Sequence, residues 1–129
     1  MNPASSLLLW GPVVVYMAAI FYGSSLSSVP GPVGMWFSDT WLHAVGYGGL
    51  ALCTLRALAR GEWRGVTRGA LVGAWTIASL YGVTDEWHQM YVPGRNAELR
   101  DLFNDALGAV AAVGAAGAWG IMRGPSRAE

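Results

Sequence analysis

Over 129 residues the chain carries eight arginines, no lysine and eight carboxylates, so its formal net charge is zero and it lacks the basic excess of a nucleic-acid-binding domain. A hydrophobic share of 53% excludes a disordered polar chain, and the length fits a single domain, 1–129.

The first apolar stretch, about 7–24, contains no charged residue. A helix on the surface of a soluble bundle would show a charged face, and this one has none. A bilayer core about 30 Å thick needs roughly 20 apolar helical residues to cross it, so the stretch is read as a spanning helix. Serines 24, 25, 27 and 28 follow it as they would a cleaved leader, but Met1 to Ser6 has no basic residue, which favours a retained helix.

A second stretch, about 40–58, opens with Asp39, His43 and Tyr47 at i, i+4 and i+8, which places all three on one helix face. Its lone Cys53 has no second cysteine with which to form a disulfide within the chain. The third stretch, about 69–88, ends in Asp85, Glu86 and His88, with Gln89 beside it. After the turn Val92-Pro93-Gly94-Arg95, the fourth, about 102–122, is entered through Asp101 and Asp105. It also carries Gly108, Ala112, Ala116 and Gly120 at four-residue spacing, a small-residue stripe that lets helix backbones approach; Gly69 and Gly73 repeat that spacing on the third stretch.

These elements predict an all-α integral membrane four-helix bundle. Arg56, Arg60, Arg64 and Arg68 surround the second connection, and Arg123 and Arg127 follow the last span. The positive-inside rule makes both segments cytoplasmic, and with four spans both termini are inside. The expected location is the bacterial cytoplasmic membrane, multi-pass. Six of the eight carboxylates then fall at or near the outer ends, leaving Glu62 and Glu129 inside.

Three spans therefore aim polar groups at one place. Ionisable groups at membrane depth are costly and face a partner or a water-filled cavity. The candidate cluster is Asp39, His43, Tyr47, Glu86, Gln89, Arg95, Asp101 and Asp105. Plainer roles compete for some of them: Asp39 and Asp101 suit helix N-caps, and Arg95 suits an ion pair with Glu86 or Asp101. Trp36, Trp41, Trp87 and Tyr91 suit an interfacial aromatic belt, and His88 the same interface.

At this point the residues resemble the VanZ-like membrane proteins. Phe21-Tyr22-Gly23-Ser24-Ser25 is similar to that family's serine-ended first helix, and Asp39 to Tyr47 to its D-x-x-x-H-x-x-x-Y segment. Asp85-Glu86-Trp87-His88-Gln89, Pro93-Gly94-Arg95 and Asp101 to Gly108 resemble its D-E-x-x-Q, P-x-R and D-x-x-x-(N/D)-x-x-G block. The chain departs from the pattern at Thr40, where the family often has a basic residue, and uses Asp105 at the N/D position. The resemblance implies a cell-envelope protein and, by its founding member, a contribution to glycopeptide (teicoplanin) resistance. It transfers the site more safely than the phenotype.

Two function classes follow. One is a binding module at the outer leaflet, with partners among membrane lipids, lipid-linked cell-wall precursors and lipoglycopeptides, where Arg95 pairs a phosphate or carboxylate. The other is an intramembrane enzyme acting on a lipid-linked phosphate or glycan. Three carboxylates and one imidazole, at His43, Glu86, Asp101 and Asp105, suit a divalent cation such as Mg²⁺ or Mn²⁺ better than a closed zinc site. No nucleophile motif supports catalysis: Ser24 and Ser25 have no base partner legible in the sequence and no hydrolase elbow.

Overall fold

The structure, a computed structural model, describes residues 3–28 and 38–123. Trp36, assigned above to the aromatic belt, Arg127 and Glu129 lie outside the described residues, as do the side chains of Asp39 and Arg123. Among the described residues there are four helices: α1 (Pro3–Ser24), α2 (Asp39–Leu58), α3 (Arg68–Gln89) and α4 (Leu99–Arg123). Each contains its expected apolar stretch and extends it by one to four residues at an end.

The helix boundaries have local causes. Ser38 precedes α2 with an extended backbone, so Asp39 is the first helical residue and not the cap. At the other end Arg60, at φ 54°, and Gly61, at φ 87°, take positive φ. The Gly61 N–H donates to Arg56 O and the Arg60 N–H to Ala57 O, a Schellman closure in which Arg60 occupies the left-handed position that glycine usually fills. Thr67 caps α3 by accepting from the Ala70 N–H at 3.2 Å. The Val92 to Arg95 segment closes through Arg95 N–H to Val92 O at 3.1 Å, and Gly94 sits at φ 82°. That geometry, with Pro93 ahead of the glycine, is the type II turn the dipeptide favours.

The helices alternate in direction. Leu9 of α1 lies by Gly61, and Gly120 of α4 meets the backbone of Trp63, so the start of α1, the arginine-rich α2–α3 connection and the end of α4 share one end of the bundle. Arg56, Arg60, Arg64 and Arg68 are all exposed there. The opposite end gathers Leu26, His43, His88, Glu98 and Asp101.

Packing follows the small residues. A Cβ on Gly108 would collide with the Ala44 backbone, and one on Gly48 would lie 3.1 Å from Gly108 O; α2 and α4 thus touch backbone to backbone, as small-residue stripes permit. Gly117 faces Leu71 and Gly73 faces Leu58. Gly69 is exposed and meets only Thr67, so the third-span repeat contributes packing at Gly73 alone. The core beside these contacts is Leu50, Ala51, Leu55, Ala74, Ala78, Ala109 and Val113. α1 rests on α2 and α3, with Tyr16 seated over Gly49 and the Tyr81 hydroxyl donating to Met17 O at 2.8 Å.

Beside this apolar core, large apolar side chains cover much of the exterior and a set of polar groups is buried at one end. Leu7, Leu8, Val14, Val15, Val45, Val72, Leu80 and Phe103 are all exposed, while Asp85, Glu86, Gln89, Asp101, Asn104 and Asp105 are buried. Two helices, over Ser5–Ser24 and Leu99–Gly120, are long and apolar enough to cross a membrane by length and composition. α2 and α3 are not apolar enough by that measure, because α2 carries His43, Arg56 and three glycines and α3 carries four charged or imidazole side chains.

Candidate functional site

His43 lies one turn inside the start of α2, and the face it presents meets α4. Its Nδ1 donates to Asp105 Oδ1 at 2.8 Å, a bond across 62 residues of sequence. Its Nε2 lies 3.7 Å from Asp101 Oδ2. Asp101 and Asp105 stand one helical turn apart on α4, which is how one imidazole reaches both. Glu86 joins them from the last turn of α3: donor atoms of His43, Glu86 and Asp101 all lie within 4.8 Å of one another. The expected convergence of three helices on one point is therefore present in the fold.

The carboxylates are held from behind. The Glu98 N–H, just ahead of α4, donates to Glu86 Oε2 at 2.9 Å, so α3 ties down the entry to α4. Asp101 lies two residues inside α4, which begins at Leu99, and is not its N-cap; its carboxylate faces His43 instead. Asp105 is 1% exposed. Room for it exists because residue 82 has no side chain, since a Cβ there would lie 2.8 Å from Asp105 Oδ2 and 3.4 Å from the Tyr47 ring. Tyr47, buried one turn below His43, lies parallel to the imidazole with ring centroids 6.3 Å apart, and its other neighbour is Tyr81.

A cavity of about 220 Å³ opens beside this cluster between α1, α2 and α3. Ile20, Leu26 and Leu42 give it apolar walls, while His43, Asp85, Gln89 and Arg95 supply polar groups. Asp85 accepts from Gln89 Nε2 at 3.3 Å, one turn along the same helix. Sequence reasoning placed Gln89 in the site but left Asp85 out. The i, i+4 spacing of the two was the available signal.

Arg95 corrects an expectation. It forms no ion pair among the described residues; its Nε donates to Leu26 O at 2.9 Å, across to the segment after α1. Glu86 accepts a backbone N–H on Oε2 alone, and the cation beside Asp101 is the exposed Arg100, at 3.9 Å. Arg95 lines the cavity and stays apart from the acids because the Pro93-Gly94 turn directs it toward α1. The side chain of Asp39 lies outside the described residues.

Ser25, for which the sequence shows no base partner, does meet an imidazole. Its hydroxyl lies 3.0 Å from His88 Nε2, and His88 packs on Phe21 with ring centroids 4.2 Å apart. The same hydroxyl donates to Phe21 O at 2.6 Å. A hydroxyl has one proton, so Ser25 accepts from His88, and the imidazole acts as a donor, not as a base activating a nucleophile. His88 thus ties α3 to the end of α1.

The site and fold define a class: a four-helix protein, apolar outside, with an acid and imidazole cluster enclosed at one end. Comparison with family models places it further, because the VanZ/LLP1 model matches residues 10–120. The chain belongs to the VanZ/LLP1 family. No curated protein and no solved structure matches it.

Proposed function

We propose that the chain spans the bacterial cytoplasmic membrane four times as a single domain, with both termini inside, and holds the polar head of a membrane lipid at the outer leaflet. The exposed apolar surface and the buried acids support immersion, since soluble monomers rarely leave so much large apolar surface exposed and ionisable groups in lipid turn inward. The exposed arginines gathered at one end support the orientation.

The observation that carries the binding reading is the mixed cavity. Ile20, Leu26 and Leu42 suit acyl or prenyl carbon, and Arg95, with its Nε held by Leu26, keeps its terminal nitrogens for an anion. At about 220 Å³ the cavity is below the roughly 300–1,000 Å³ typical of drug-sized ligands. It suits a phosphate-sized head better than the body of a glycopeptide. A role in teicoplanin resistance would then run through a phospholipid or a lipid-linked cell-wall precursor, or through the lipid tail of the drug. Native mass spectrometry from mixed-lipid nanodiscs tests this. Anionic lipid adducts are expected on the wild type and about 10- to 100-fold weaker on Arg95→Ala, the loss of one charge-assisted contact; equal adducts on both would overturn the reading.

A second reading, metal-assisted chemistry on a lipid-linked phosphate or glycan, is favoured by one observation, the closeness of His43, Glu86 and Asp101. In that reading the cluster, and not Ser25, activates the attacking group, and the lipid-head site is its substrate pocket.

A further inference from the structure

The cluster around His43 has more negative charge than the protein around it compensates. Glu86, Asp101 and Asp105 are each at least nine-tenths buried, and with one imidazole among them the ionised set is net negative whether or not that imidazole is protonated. Among the described residues the one arginine in contact, Arg100, is exposed and reaches Asp101 only at 3.9 Å. Three carboxylate oxygens, Glu86 Oε1, Asp101 Oδ1 and Asp105 Oδ2, are buried without a hydrogen-bond partner among the described residues. Buried acceptors are normally paired, and leaving them bare costs about 1–3 kcal/mol each, more when charged.

The imidazole geometry says what would satisfy them. Because a carboxylate only accepts, Asp105 holds the proton on Nδ1, and Nε2 is the atom turned toward Asp101. Their 3.7 Å separation is too long for a hydrogen bond. It is a little wider than the edge of a coordination shell, since two donors about 2.0–2.2 Å from one ion stand roughly 2.8–3.6 Å apart. A bound ion would draw the two together by a few tenths of an ångström. An Nδ1–H to carboxylate bond behind an Nε2 ligand is also the usual support for metal-binding histidines.

We infer that His43 Nε2, Glu86 and Asp101 form a divalent-cation site, with Asp105 as a positioning residue that orients the imidazole. One nitrogen and carboxylate oxygens fit Mn²⁺ or Mg²⁺, and the imidazole favours Mn²⁺ of the two. The inference deepens the lipid-head reading. His43 belongs both to the cluster and to the cavity wall, so a cation there adds a second positive charge to the cavity that Arg95 also lines, which favours an anionic lipid phosphate.

The test uses the whole chain, purified in lipid-free detergent, stripped with EDTA and titrated with Mn²⁺ alone. Free aqueous Mn²⁺ gives a six-line paramagnetic resonance signal that is lost on binding. The wild type should remove one equivalent. His43→Gln and Asp101→Asn should remove none, Asp105→Asn should retain the stoichiometry with about 10- to 100-fold weaker affinity, and Glu98→Gln should match the wild type. Circular dichroism and size exclusion on every variant separate loss of the site from loss of the fold. A folded, monodisperse wild type that leaves the Mn²⁺ signal intact at millimolar concentration overturns the inference, with protons then neutralising the cluster in place of a metal. Lipid adducts measured in EDTA keep the two readings apart: adducts without Mn²⁺ binding leave lipid recognition standing and remove the cation.

Discussion

The contact that brings the acids of α4 to His43 is the backbone approach at Gly108, which sits one turn beyond Asp105 and opposite Ala44. A Cβ on Gly108 would stand 2.6 Å from both the Cα and the carbonyl carbon of Ala44. Carbon pairs rest about 3.5–4.0 Å apart, so α4 must withdraw locally by about 1 Å. Backbone cannot rotate away as a side chain can. The 2.8 Å bond between His43 and Asp105 would then stretch to nearly 4 Å and be lost. Overpacking costs about 1–3 kcal/mol and a lost charged hydrogen bond about 1.5–3 kcal/mol. Gly108→Ala should therefore destabilise by about 3–5 kcal/mol, a change of more than a hundredfold in the folding equilibrium. Gly114→Ala on the same helix is the matched control, because a Cβ there meets nothing within 4 Å. It should be neutral or stabilising by up to about 1 kcal/mol, from helix propensity. Denaturation of both variants in the same detergent, followed by the helical circular dichroism signal, measures the difference. Equal stabilities would refute the close approach of α2 and α4 and, with it, the geometry of the site.

Glu86→Gln keeps shape but removes charge, so it should abolish any lipid-binding or resistance phenotype while membrane abundance holds; Glu98→Gln, exposed in the connection, should alter neither. Ala112→Leu, facing Gly48, should lower abundance by forcing α2 and α4 apart, and an equal fall for Glu86→Gln would make Glu86 a structural residue. Gly94→Ala should weaken lipid adducts without touching Mn²⁺ binding, because a side chain at φ 82° strains the turn that aims Arg95 and leaves the His43 cluster untouched.

The parts of this arrangement legible in the sequence are those governed by helical periodicity. Asp39, His43 and Tyr47 share a face by spacing alone, as do Asp101, Asp105 and Gly108, and the charge-free run before Ser24 identifies α1 without any tertiary information. Arg95 was legible as a turn residue but its partner was not. The choice between Glu86 and Leu26 O depends on where the end of α1 docks, which no local pattern encodes. The Ser25 to His88 contact spans 63 residues and belongs to the same docking. Asp101 resembled a cap because capping and site residues use the same carboxylate at the same helix end; only the start of α4 at Leu99 separates the two roles.

The orientation of the polar end decides whether the site meets the outer leaflet, and cysteine labelling in intact cells addresses it directly. With Cys53 replaced by Ala, a single cysteine is introduced at exposed Asn96 or exposed Glu62, and whole cells are treated with a membrane-impermeant maleimide before and after lysis. Asn96→Cys should label in intact cells, and Glu62→Cys only after lysis. Labelling of Glu62→Cys in intact cells, with Asn96→Cys protected until lysis, would place the His43 cluster on the cytoplasmic side and contradict the account.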